Sequence, residues 1–225
     1  LMAEHFAGRQ GWSGAILVGL GVAGLLASLG IARVPAADPA KKLRINFVGD
    51  FFEKMRDVRR DRVLWLAVLG NTYFWALGAL LLLNILVFGK ETLQADASQI
   101  SYLQASVAIG IGLGSFAAGY LSANKIELGL IPCGAIGISV LCAVLGKPHL
   151  SYGTVLADLG LLGFFAGFFA VPVNALIQYR PDESRKGGVI AASNLLSFVG
   201  IFLATGIFYA LKALLNFSPG QIFLV

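Results

Sequence analysis

The chain has 225 residues, of which 57% are hydrophobic and only 13% charged, with a mean hydropathy of +0.80. No soluble core hides that much apolar surface, so the composition excludes an ordinary soluble domain and predicts an all-α polytopic membrane helical bundle. The formal net charge of +5 does not imply a nucleic-acid partner, because the basic residues lie between apolar runs, where membrane orientation is encoded.

Apolar runs of about 20 residues occur near 12–33, 63–88, 100–122, 126–146, 153–179 and 188–212, and another begins at Gln221. They are continuous rather than short and alternating, which predicts helices that satisfy their own backbone in lipid and not barrel strands. The first residues are not basic and the first run is too long for a signal core, so no secretory signal is predicted. A start at Leu1 and a stop inside a fresh apolar stretch are read as marks of a fragment of a longer protein.

Sorting the connections into two alternating sets places thirteen of the 17 basic residues in one set. Only Arg9, Lys90, Lys147 and Lys212 fall in the other. The richer set is cytoplasmic, so the first helix runs from outside to inside. The chain divides into an outside segment with the first helix (1–33), a cytoplasmic loop (34–62) and a five-helix part (63–225). Pro35 and Pro39 open the loop; Phe47, Phe51, Met55 and Val58 then recur at helical spacing among basic residues. That pattern fits an amphipathic helix on an anionic leaflet, or a solvated linker.

In the second run Asn71 and Trp75 share one face while Tyr73 and Asn84 share nearly the opposite one, so periodicity does not choose the inner side. The third run carries Gly110, Gly112, Gly114 and Gly119 and ends in a short turn, Gly119 to Gly129, that makes its flanking helices antiparallel neighbours. Lys125 and Glu127 in that turn serve either as a latch on a moving bundle or as a plain polar turn. Cys133 and Cys142 have neither metal nor redox spacing and read as small buried hydrophobes.

In the fifth run Gly160, Gly163, Gly167, Asn174 and Gln178 fall within roughly 40° of one line, with four phenylalanines elsewhere on its surface. The line faces either a neighbouring helix or a substrate path. Pro172 predicts a kink. Asp158 lies well inside an apolar run and is the candidate for proton or cation coupling; its nearness to the start of the run equally fits an ordinary helix-start Asp. The sixth run bears a polar stripe of Asn194, Ser197, Thr205 and Tyr209. His5 and His149 sit in outside connections and no zinc-protease, CxxC or phosphate-loop pattern occurs. No enzyme, metal or cofactor is therefore expected.

The turn Gly119–Gly129 resembles the cytoplasmic motif between the second and third helices of each half of the major facilitator superfamily. The usual acidic residue after the glycine and leucine is absent, its place taken by Ala123 or Asn124. The stretch Pro172-x-Asn174-Ala175-Leu176-x-Gln178, with Arg180 and the downstream Asn194-Leu195, is similar to the bacterial lysophospholipid transporter branch of that superfamily. The Lys125-Ile126-Glu127 turn supports that resemblance.

The resemblance implies a partial major-facilitator bundle: the sixth to eleventh of twelve helices and the start of the twelfth. The second, third, fifth and sixth runs would then line the central cavity. It further implies movement of lysophospholipid across a bacterial inner membrane by alternating access, for reacylation by a cytoplasmic or fused acyltransferase. Substrate-binding candidates are Asn71, Asn174, Gln178, Asn194 and Ser197, gating candidates Lys125, Glu127 and Arg180, and the coupling candidate Asp158. The rival readings are a proton-coupled carrier of another small solute, and a non-transporting membrane anchor for a fused acyltransferase.

Overall fold

The computed structural model describes residues 10–31, 47–123 and 125–225. His5, Arg9, Pro35, Pro39, Asn124 and the side chain of Phe47 lie outside the described residues. The chain divides into two compact units, Leu1–Leu43 and Arg44–Val225. The first contains helix α1 (Gln10–Leu29), whose Leu17, Val18, Leu25 and Leu26 are exposed.

All regular structure in the second unit is helical, and three of its long helices begin at a side-chain cap. Helix α2 (Phe47–Arg60) runs into α3 (Arg62–Glu91), where the Asp61 carboxylate accepts from the amides of Val63 (3.0 Å) and Leu64 (3.2 Å). Helix α4 (Ala97–Ser122) opens on a reciprocal Asp96–Gln99 capping box. It closes at Ala123, which adopts a left-handed φ of 40°. Helix α5 spans Leu130–Leu145. Helix α6 (Tyr152–Tyr179) is capped by Ser151 and runs unbroken through Pro172. Helix α7 (Glu183–Tyr209) passes into a π-helical turn, Ala210–Leu214, and a four-residue helix α8 (Pro219–Ile222) follows.

Among the described residues four helices, α3, α4, α6 and α7 with its π turn, are long and apolar enough to cross a membrane. The run expected at 126–146 yields only the 16 residues of α5, about 24 Å at 1.5 Å per residue, because Lys125 to Gly129 are spent on the turn.

The glycines explain which helices meet. A Cβ on Gly114 would stand 2.8 Å from the Phe164 Cα, and one on Gly163 would stand 3.0 Å from the Ile111 amide. Gly110 and Gly167 are equally closed in by the facing backbone. The line Gly160–Gly163–Gly167 is therefore the contact of α6 with α4, the close backbone approach that small residues permit in lipid. Around the rest of α6, Phe165 and Phe169 cover Gly137 and Gly134 of α5, and Phe169 stacks on Phe74 of α3 (5.8 Å). Helix α3 also packs along α7, with Gly200 against Thr72.

Two apolar cores result, one at each end of α3. Ile85, Phe88, Leu103, Leu159 and Phe223 form the first; Val58, Leu64, Val68, Ile177 and Val189 form the second. Met55 and Val58, half of the apolar face expected of α2, are thus buried against protein, not presented to a leaflet. Outside the cores, large apolar residues such as Phe116 and Phe202 are 79% exposed, as a surface solvated by lipid tails requires.

Candidate functional site

Helices α3 and α7 bring together the one long-range polar cluster buried among the described residues. Asn71, 3% exposed, donates through Nδ2 to the hydroxyls of Ser197 (3.1 Å) and Ser193 (3.4 Å). Ser197 in turn donates to the Ser193 carbonyl (3.0 Å). The Asn71 Oδ1 is buried with no partner among the described residues, so the cluster has an acceptor in reserve for water or a solute donor. Pairing of Asn71 with α7 resolves the ambiguity of the two faces of α3. Ser193 was missing from the sequence candidates; its signal was its position one turn before Ser197 on the same face.

The other candidates do not join this cluster. Asn174, half-buried, donates to the Ala170 carbonyl of its own helix (2.9 Å). Gln178 is exposed near the end of α6. Asn194 is exposed on α7, eleven residues into a helix of membrane length and beside exposed Leu195 and Phe198. Thr205 and Tyr209 are exposed farther along α7.

Asp158 is buried at 7% exposure, with its Oδ2 unpartnered among the described residues. It lies on the face of α6 that carries Phe165 and Phe169, at helical spacings of seven and eleven, and that face is turned to α5. Asn84, also buried, donates to the Pro219 carbonyl (2.9 Å).

A second polar region closes the opposite end of α3. Arg180, just past α6, bonds through Nε to Asp61 Oδ2 at 2.6 Å. The Arg180 guanidinium holds the Asp61 carboxyl below the ordinary carboxylate value; burial opposes the shift and the Leu64 and Val63 amides assist it. A cleft of about 170 Å³ opens beside the pair, lined also by Lys54, Asp57, Asp182 and Arg185. Arg185 is ion-paired with Asp182. Lys125 and Glu127, the other gating candidates, are exposed in the α4–α5 turn and stand apart from this cluster. Asp61 was not a sequence candidate, although an acidic residue directly before an apolar run marks a helix start. No group of His, Cys, Asp and Glu able to hold a metal ion occurs among the described residues.

The family model of the Major Facilitator Superfamily matches residues 1–205. The lysophospholipid transporter LplT of Klebsiella pneumoniae is 33% identical over 200 residues, 87% of this chain and 49% of the relative. The lysophospholipid transporter LplT of Enterobacter sp. is 32% identical over 195 residues, 84% of this chain and 48% of the relative. That of Escherichia coli O157:H7 is 31% identical over 188 residues, 82% and 47% respectively. The chain spans about half the length of these curated relatives. No solved structure gives a significant match.

Proposed function

The chain belongs to the major facilitator superfamily, and from that premise we propose that it works as the C-terminal part of a lysophospholipid transporter of a bacterial inner membrane. The observation that carries the reading is Asn194, an uncharged amide exposed in a membrane-length helix beside Phe198 and Phe202. An amide left to lipid tails is costly, so such a residue faces protein, water or solute. A single-tailed phospholipid asks for this pairing: amides that exchange hydrogen bonds with a polar head group, and an apolar aromatic wall for one chain. Asn174 and Gln178 are the further head-group contacts, and the Asn71 cluster holds α7 against α3 so that Asn194 keeps its direction. Helix α1 is the last span of the preceding half and residues 34–62 are the linker. Alternating access rocks the C-terminal part against that half about a midplane site.

Lys125, Glu127 and Arg180 sit at the cytoplasmic end, where gating contacts form. The product lysophospholipid, delivered to the inner leaflet, requires an acyl-transfer reaction to restore a two-tailed lipid, supplied by a separate or a fused enzyme. Similarity to the Klebsiella, Enterobacter and Escherichia relatives supports this substrate class, and no part of the reading asks this chain to be an enzyme.

Buried Asp158 supports a second reading, a proton-coupled carrier of another small solute, in which its unpartnered oxygen takes up the coupled ion. The test is uptake of labelled lysophosphatidylethanolamine by spheroplasts that express the full-length gene, with Asn194→Ala, Asn174→Ala and Asp158→Asn at matched membrane levels. Loss of uptake in Asn194→Ala, with Asp158→Asn active, is the expected outcome. No uptake by folded wild-type protein sinks the lipid reading and favours the second, while lipid uptake lost only in Asp158→Asn keeps the substrate and moves the essential residue from Asn194 to Asp158.

A further inference from the structure

We propose that α2 carries a docking face for anionic phospholipid head groups, formed by Phe52, Arg56 and Arg59 and continued by Trp65 at the start of α3. The apolar side of α2 that periodicity makes most obvious is already taken, since Met55 and Val58 are 9% and 1% exposed against the protein. Residues 52, 56 and 59 follow at spacings of four and seven, within about 60° of one another around the helix. All three are exposed, Phe52 at 65%.

A phenylalanine open to solvent between two arginines is poorly placed for water and well placed for a charged membrane surface. The ring enters the acyl boundary and the guanidiniums meet phosphate. The position along the chain agrees. One residue, Asp61, separates α2 from α3, which is of membrane length, so the C-terminal end of α2 sits at head-group level. There the Arg59 guanidinium lies 5.2 Å from the centroid of the Trp65 ring, and tryptophan is the residue that favours this layer. Arg62, exposed just past Asp61, adds positive charge, while Arg60 is ion-paired with Asp57 at 3.6 Å. Charge complementarity selects an anionic leaflet over a zwitterionic one, whichever solute the transporter carries.

The experiment is hydrogen–deuterium exchange over residues 51–60 of the full chain, in nanodiscs of phosphatidylcholine alone and of phosphatidylcholine with phosphatidylglycerol. The expected result is slower exchange with phosphatidylglycerol, weakened by high salt. It is retained in Arg56→Lys/Arg59→Lys and lost in Arg56→Gln/Arg59→Gln. Each arginine near an anionic surface favours binding about fivefold, so the pair supports a difference of roughly twenty-fivefold. Equal exchange in both lipids overturns the proposal, as does a lipid dependence unchanged in the glutamine variant. Faster exchange of the glutamine variant in phosphatidylcholine alone also overturns it, because the arginines then act only in holding α2 to the protein.

Discussion

The α4–α6 contact and the α3–α7 contact join helices of similar length by opposite means. In the first, glycines from both helices bring backbone against backbone, with Gly114 facing Phe164 and Gly163 facing Val107 and Ile111. In the second, a single glycine, Gly200, meets the methyl and the carbonyl of Thr72 without the deep backbone overlap of the first, and the specific tie is Asn71 to two serines. A contact of the first kind rests on many small dispersion gains that vanish together when the helices part. A contact of the second kind can exchange its partners for water at little loss. If the bundle rocks as proposed, α4–α6 is the fixed element and α3–α7 the adjustable one.

The largest effect is therefore expected at the glycines. Gly114→Val places atoms inside the Phe164 backbone and should cost about 3 kcal/mol, read as a lower unfolding midpoint in detergent. Gly112, two residues away on the same helix, has nothing within 4 Å of an added Cβ. Gly112→Ala should be neutral or stabilise by up to about 1 kcal/mol, from helix propensity alone. Equal loss in both variants would mean that α4 is sensitive throughout, and the contrast with α3–α7 would collapse.

Asn71→Ala should cost less, about 1 kcal/mol, since buried interhelical hydrogen bonds in membranes average about 0.6 kcal/mol and the Ser197 hydroxyl keeps its bond to the Ser193 carbonyl when the amide is lost. A double-mutant cycle with Ser197→Ala should return a coupling of roughly 0.6 kcal/mol. Coupling near zero would leave Asn71 held by shape alone, and a coupling as large as the glycine effect would make both contacts rigid.

The fixed contact was the more legible of the two in the sequence. Three glycines in line on α6 and two, Gly110 and Gly114, one turn apart on α4 announce close packing, because absence of a side chain is the same signal in every context. Only the choice between a helix neighbour and a substrate path needed the structure. Asn71 was harder, since its value depends on what stands opposite, and α3 carries polar residues on two faces. Both Asn71 and Asn84 proved buried, toward α7 and toward the segment after it. Periodicity around one helix cannot report that. Helix α2 was legible as a helix and not in its partner, since an apolar stripe beside basic residues reads alike whether lipid or protein covers it. Long-range ion pairs such as Asp61 with Arg180, 119 residues apart, leave no local pattern at all.

That pair gives the smallest expected effect and bears on how α3 is held at its other end. Side chains of Arg180 and Asp61 are 43% and 35% exposed, so solvent screens their attraction, and Arg180→Gln should cost under about 1 kcal/mol. The sign with pH follows from the direction of the Asp61 shift. A carboxyl held below its ordinary value of 3.8 stabilises the fold fully above that value. The contribution fades as pH falls through the lower folded value. The wild type should therefore lose its small advantage over Arg180→Gln on acidification below about pH 4 and keep it unchanged from neutral to mildly alkaline pH. It should also lose it in high salt, where the Asn71 tie, buried and uncharged, keeps its full strength. A salt-independent Arg180 effect would place the pair in a drier setting than its exposure allows, making that end of α3 as fixed as the glycine contact.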